Sequence, residues 1–216
     1  MVAIGDATYI GGTWMLVIRD PVEKENVYCK EVLAETTFSY QEACAILAAQ
    51  KLFFTAFVGD GRMASPWLFP GIPMQMCHFH QEQIVIRYVT LNPKLPAGIE
   101  LLELARTLPN TDVDSFTDAF KLWCRTWKDF LDEKSIDPKT GRKSYTHRKL
   151  RSARDSIKRH LPYLFTYQKF PELNIPNTTN SLDGSFKKVK MAISIHAGLT
   201  HARKLKLITT LLRKRV

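Results

Sequence analysis

The sequence predicts an α/β fold: a mixed sheet flanked by helices and carrying an all-α insertion. Three observations lead there. The first third of the 216 residues holds short apolar runs separated by turn residues. From Pro96 to about Leu161 the apolar residues switch to a helical period. Lysine and arginine gather toward the C-terminal end. The expected division is a first part of the core over 1–96, a helical insertion over 97–160, and a return to the core over 161–216.

Val2–Asp6 is apolar up to an acidic exit, Gly11-Gly12 supplies a turn, and Thr13–Ile18 is a second apolar run. Asp20-Pro21 ends that run, and Val27–Leu33 makes a third strand. Short connections between the three predict an antiparallel meander. Ser39 followed by Glu42 has the pattern of a capping box, after which Ala43, Ile46, Leu47 and Phe54 recur at helical spacing. Thr55–Val58 reads as a short buried strand ending in Gly59-Asp60-Gly61-Arg62. Beyond Pro66, Pro70 and Pro73, Met74–Cys77 is expected as a fifth strand and Gln81–Leu91 as a helix. This succession approximates the coarse order of a ribonuclease-H-like core, an order that by itself gives no function.

In the insertion, Phe116, Phe120, Trp123, Trp127 and Phe130 form an aromatic stripe at helical spacing, which reads as core. Asp137-Pro138-Lys139-Thr140-Gly141 is a turn. The next helix places Leu150, Ala153, Ile157 and Leu161 on one side. His147, Arg151, Arg154 and Lys158 make a second stripe, either a solvated face or a surface for phosphates. Pro162–Pro176 reads as an irregular connection, a further helix begins near Asn177–Asn180, and Thr200–Val216 is a basic amphipathic helix with Leu205, Ile208 and Leu211 or Leu212 inward.

Charge narrows the class of partner. Residues 142–216 hold 18 lysines and arginines against 3 acids, whereas residues 1–141 hold 13 against 18. A basic half of this kind favours a polyanion, nucleic acid above all. No apolar run approaches the roughly 18 residues that span a bilayer. The N-terminus lacks the basic and apolar regions of a secretory leader. Cys29, Cys44, Cys77 and Cys124 are scattered without a CxxC pair, which fits a reducing compartment such as the cytoplasm.

Asp6 and Asp60 both stand at strand exits. Neighbouring strands lie about 4.8 Å apart, so two such carboxylates can share one metal cluster. Phosphodiester cleavage uses two ions, one at the attacking and one at the leaving oxygen. The plainer alternative is that each aspartate is an ordinary turn residue. Asp183 falls in Asn177-Thr178-Thr179-Asn180-Ser181-Leu182-Asp183-Gly184, where it fits either metal binding or a capping pair with Asn180. Cys77-His78-Phe79-His80 is half of a zinc pattern without a second half. A structural role, with Cys77 at a strand end and His80 opening a helix, is the simpler reading, and a thiol nucleophile the weaker one.

Taken in order, Asp6-Ala7-Thr8-Tyr9, Asp60-Gly61-Arg62, Met76-Cys77-His78-Phe79-His80 and Asn177–Gly184 resemble the bacterial insertion-sequence transposases related to the eukaryotic Mutator elements. The resemblance implies a DDE-type transposase with a ribonuclease-H-like core and a helical insertion before the helix that bears the third acid. By the match, Asp6 and Asp60 are the first two catalytic, metal-binding acids, and Asp183 falls where the family has glutamate. Cys77 and His80 fall on the family's CxxH signature. Asp183 reaches about 1.5 Å less than a glutamate. The family also carries a repeat-recognising region ahead of its first acid, and the sequence begins five residues before Asp6, so a chain truncated at that end is expected.

The expected function is metal-dependent cleavage and strand transfer at insertion-sequence ends, with two Mg²⁺ or Mn²⁺ ions on Asp6, Asp60 and Asp183. Arg62, Arg151, Arg154, Lys158, Lys187, Lys188 and Lys190 would hold the backbone of double-stranded DNA. A homo-oligomer on DNA, associated with the bacterial nucleoid, completes the expectation. The alternatives are an inactive or domesticated fragment that only binds DNA, a structure-selective nuclease, and a basic assembly factor.

Overall fold

The computed structural model describes residues 1–61, 69–196 and 198–213. Arg62, expected on the DNA surface, lies outside the described residues, as do 214–216 of the basic tail.

Strands β1 (Val2–Ile10), β2 (Thr13–Asp20) and β3 (Glu25–Val32) form the expected antiparallel meander, but β1 runs four residues past Asp6, whose ladder with β2 continues to Ile10, so Asp6 lies mid-strand rather than at an exit. Gly11 and Gly12 turn the first hairpin at φ of 63° and 99°, which a side chain would resist. Helix α1 (Thr37–Ala49) begins earlier than the Ser39–Glu42 pattern predicts. Thr36, in extended backbone one turn upstream, accepts the Ser39 amide on its hydroxyl at 3.2 Å. Ser39 is therefore a buried first-turn residue, and Glu42 pairs with Lys30 across to β3 at 2.6 Å.

Strands β4 (Ala56–Gly59) and β5 (Met74–Met76) run parallel to β1 and complete a mixed sheet of order β3-β2-β1-β4-β5. Helix α2 (His78–Val89) starts directly from β5, so Cys77 is its N-cap and His80 lies within its first turn. The protein is thus of mixed α/β class, with a five-stranded mixed sheet flanked by helices.

Alternation along the strands explains the layers. Val2, Ile4, Ile10, Met15, Val17 and Val58 point to one face, where they pack under α8 (Asn180–Ile195) and α9 (His201–Arg213) through Leu182, Phe186, Ile208 and Leu212. Ala3, Ala7, Leu16, Ile18 and Phe57 point to the other face, covered by Tyr40, Ala43 and Leu47 of α1. Gly5 is required here, because a Cβ would collide with the rings of Phe57 and Tyr40.

The segment between the sheet and α8 holds α3 (Pro96–Arg106), α4 (Val113–Thr126), α5 (Lys128–Asp132) and α6 (Arg148–Leu164). It is not all-helical. Strands β6 (Lys134–Ile136) and β7 (Lys143–Tyr145) pair as a hairpin around the Asp137–Gly141 turn. Asp137 Oδ1 accepts the Lys139 amide at 2.8 Å, and Gly141 takes a φ of 66° that closes the turn. Strands of three largely exposed residues have no buried face, so they leave no alternation to read.

Phe116, Phe120 and Trp123 are buried as the stripe requires, while Trp127 and Phe130 sit at its half-buried end. The same core takes in Val85 of α2, Leu150, Ala153 and Ile157 of α6, and Met76 of β5. The connection after α6, expected to be irregular, contains a short helix α7 (Thr166–Lys169). Thr166 donates its hydroxyl to the Met74 carbonyl at 2.6 Å, and Gln75 donates to the Leu164 carbonyl at 2.8 Å, tying this end of the helical segment to the sheet. Among the described residues no helix is long and apolar enough to cross a membrane.

Candidate active site

The parallel pairing of β1 with β4 matches Ala3 to Phe57 and Ile4 to Val58. Continued two residues further, that register sets Asp6 beside Asp60, which follows the last residue of β4. Both carboxylates line one cleft of about 800 Å³, shared with Glu35, His80, Arg159 and His160. Strand alternation puts Asp6 on the same sheet face as Ile4, under the start of α8. Its Oδ1 accepts the Ala7 amide at 2.9 Å, and only 8% of the residue is exposed.

Burial pushes the Asp6 carboxyl up to about 7; His80 opposes the rise, and the charges of Glu35, Asp183 and Asp60 add to it. Burial alone would lower His80, but Cys77 beside it, together with Asp6 and Asp60, lifts the imidazole to about 9. The cleft therefore gathers the acids Asp6, Glu35 and Asp60 against His80, Arg87 and Arg159. His80 Nδ1 is buried without a hydrogen-bond partner among the described residues.

Asp183 sits in the first turn of α8, close enough for its charge to raise Asp6, yet it is not part of the cleft wall. Thr179, rather than Asn180, occupies the N-cap of α8 and donates its hydroxyl toward Asp183 Oδ2 at 3.4 Å. The same threonine meets Cys77: its amide donates to Sγ at 3.4 Å, and the two side chains lie 3.5 Å apart. One turn of the chain earlier, the His78 amide donates to the Asn177 carbonyl at 2.9 Å. The CxxH and TTN motifs are thus two sides of one junction joining the starts of α2 and α8. Burial would raise the Cys77 thiol, but His80 and Thr179 hold it below its ordinary value.

The expected DNA-contacting residues fall into two groups. Arg151 donates to the Leu131 carbonyl at 3.0 Å and to Asp132 at 2.7 Å, and its guanidinium lies 3.6 Å from the centre of the Tyr145 ring. Arg154 is engaged by the adjacent Asp155 at 2.8 Å. Lys158, Lys187, Lys188 and Lys190 are exposed, with no ion-pair partner among the described residues. A second cleft, of about 490 Å³, lies between the end of α2 and the start of α6 and includes Lys94, Arg148 and Lys149.

Sequence reasoning passed over Glu35, Arg87, Arg159 and His160, all of which line the main cleft. Glu35 looks like an ordinary acid before a helix, and the other three look like polar positions on helices. Only the packing of α2 and α6 against the sheet brings them to the acids. Gln81 links those two helices, accepting from His160 Nδ1 at 2.6 Å and donating to Ser156 at 3.2 Å.

Oxygen donors from carboxylates suit Mg²⁺ or Mn²⁺. Burial first, and then the charges of Glu35, Asp183 and Asp60, lift Asp6; a divalent cation would relieve the second effect, so the oxygen chemistry of these carboxylates fits such ions. Among the described residues, no group of three or more histidine, cysteine, aspartate or glutamate side chains is placed to hold a metal ion. No protein-family model matches the chain, and no curated protein matches it.

Proposed function

We propose that the chain is the catalytic core of a DDE-type DNA transposase with a ribonuclease-H-like fold, akin to the Mutator-related insertion-sequence transposases. The observation that carries this reading is the placement of Asp6 and Asp60 side by side on the central parallel strands, at the floor of one large cleft. The strand order β3-β2-β1-β4-β5, with an antiparallel meander leading into parallel strands, supports the ribonuclease-H-like assignment. The ordered motifs in the sequence supply the family.

Two divalent cations would be held by Asp6, Asp60 and Asp183, and when bound would supply transition-state charge and an acidified water. Asp6 and Asp60 would turn their oxygens to those cations rather than to the phosphodiester itself. Arg87 and Arg159, on the helical wall of the cleft, meet the flanking phosphates. Attack of water on a phosphodiester would free a 3′-hydroxyl at the element end, and that hydroxyl would then attack a target phosphodiester in line, the target strand's own 3′-oxygen leaving as the new P–O bond forms. Lys158, Lys187, Lys188 and Lys190 hold the DNA backbone without reading sequence. The reading places the protein on the bacterial nucleoid, acting as an oligomer.

A second reading, a DNA-binding protein without turnover, is favoured by one observation: Asp183 stands outside the cleft wall. Incubation with supercoiled plasmid and Mn²⁺ separates the two. Nicking and strand joining that vanish in Asp6→Asn and Asp60→Asn support the transposase. Salt-sensitive binding with no Mn²⁺-dependent nicking supports the second reading.

A further inference from the structure

We infer that Trp14, propped by Tyr9, is a stacking platform for an unpaired nucleobase in the main cleft. The inference rests on the nucleic-acid reading of that cleft and adds to it the form of strand the cleft takes.

The platform follows from the way the sheet ends. Strand β4 pairs with β1 only from Val2 to Ile4, whereas β1 runs on to Ile10. Beyond that point the cleft follows the side of β1 that β4 leaves, so residues of both sheet faces line it, Asp6 from one and Ala7 from the other. Trp14 of β2 lines it too. On its own face Trp14 follows Ile18 and Leu16, which are wholly buried, but the cover of α1 stops short of it and 38% of the residue is exposed. Its backbone is fixed on both sides, by Tyr9 across to β1 and by Val32 across to β3. The rings of Tyr9 and Trp14 meet edge to face with centroids 5.6 Å apart. Such a contact uses a single ring face, so it holds the indole in place and leaves aromatic surface open.

An exposed aromatic residue is common and by itself says little; its company decides. Arg87 of α2 and Arg159 of α6 line the same cleft, are exposed, and have no ion-pair partner among the described residues. The helical wall thus offers charge to phosphates, and the wall at Trp14 offers a flat apolar surface to the other half of a nucleotide. Cations that track the backbone and rings that take the bases are the two parts of a single-strand site. Inside a duplex both faces of a base are already stacked. The indole therefore gains only from a base with a free face, at an unpaired strand end or turned out of the helix. No particular base is required, because every base has such a face.

The test is fluorescence anisotropy of the full chain with labelled DNA probes: a blunt duplex, the same duplex with a short unpaired overhang, and that overhang made abasic. The overhang probes carry the same phosphates and differ only in their bases, so the ratio of their affinities isolates stacking. Wild type should prefer the base-bearing overhang by about tenfold, the usual worth of one base on one ring. The ratio should not change with salt, since both probes release the same counterions. Trp14→Leu should abolish the ratio, Trp14→Phe should keep most of it, and Tyr9→Ala should reduce it. Trp14→Thr, a strand-favouring residue without a ring, is the second ringless variant, and near-ultraviolet circular dichroism shows which variants keep the fold. Equal affinity of wild type for the overhang probes, with the duplex still bound, overturns the platform while the nucleic-acid reading stands. A ratio kept in a folded ringless variant overturns the role of Trp14 in the same way. Failure of wild type to bind any of the probes overturns the nucleic-acid reading and this inference with it.

Discussion

The backbone of Gly61 lies against the imidazole of His160, so closely that a Cβ on Gly61 would collide with the ring. His160 belongs to α6 and is itself held by Gln81 of α2. The residue following the second aspartate is therefore seated on the helical segment. The position of Asp60 depends on packing between helices distant in sequence.

Gly61→Ala should destabilise the protein by about 1–3 kcal/mol, the usual cost of forcing a methyl into a packed site. It should also reduce Mn²⁺-dependent nicking by displacing Asp60. Adding His160→Ala makes room for the methyl, so the double variant should recover part of the nicking. Urea unfolding of the four proteins in the cycle measures the coupling. Strict additivity would mean that the two residues do not meet in solution.

The raised carboxyl of Asp6 makes stability depend on pH. Its folded value of about 7 lies above the unfolded 3.8, so between those limits the native state holds a proton that the unfolded chain has released. Stability then falls as pH rises from about 4 to 7. His80 acts in the same direction over a later window: raised from 6.5 to about 9, it contributes stability below 6.5 that is lost as pH passes through 9. Asp6→Asn should therefore be close to wild type in stability near pH 4 and more stable at pH 8, by an amount on the order of a few kcal/mol. Thermal melts across this range check it; a variant less stable than wild type at pH 8 would contradict the cost of burying the Asp6 charge.

Arg151→Ala should act on stability more than on DNA. The guanidinium joins α6 to Leu131 and Asp132 and covers Tyr145 of the hairpin. Asp132 is half exposed, so water screens that pair, and the expected loss is about 1–2 kcal/mol in urea unfolding.

Lys187, Lys188 and Lys190 should show the opposite balance. Replacing all three by alanine removes exposed charges without an ion-pair partner among the described residues. Unfolding should change little. The slope of log affinity for duplex DNA against log salt should fall by about 2–3, since each phosphate contact contributes about 0.9. An unchanged slope would take α8 off the DNA surface.

Several features were open to the sequence because their causes are local. The meander shows in apolar runs cut by Gly11-Gly12 and Asp20-Pro21, and a strand exit marks Asp60, whereas Asp6, expected at an exit, lies in the middle of β1. The aromatic stripe marks the insertion core, since helical spacing needs only neighbours along the chain. The capping residue of α1 was misplaced by one turn because Thr36 and Ser39 both carry suitable hydroxyls, and only the backbone decides which lies outside the helix.

What the tertiary structure alone decided is who stands beside whom. The parallel register of β1 with β4 sets Asp6 next to Asp60, and the packing of α2 and α6 walls the cleft with Arg159 and His160. Thr179 meets Cys77 across 102 positions of sequence, and Arg151, read as a surface cation, proves to be anchored to Asp132 and Tyr145. Period and capping are written in adjacent residues, whereas a cleft forms between elements whose contacts no local pattern encodes. For that reason the sequence singled out Asp6 and Asp60 as acids beside apolar strand runs, and the fold determined that Asp6 lies mid-strand and that Glu35, rather than Asp183, lines their cleft.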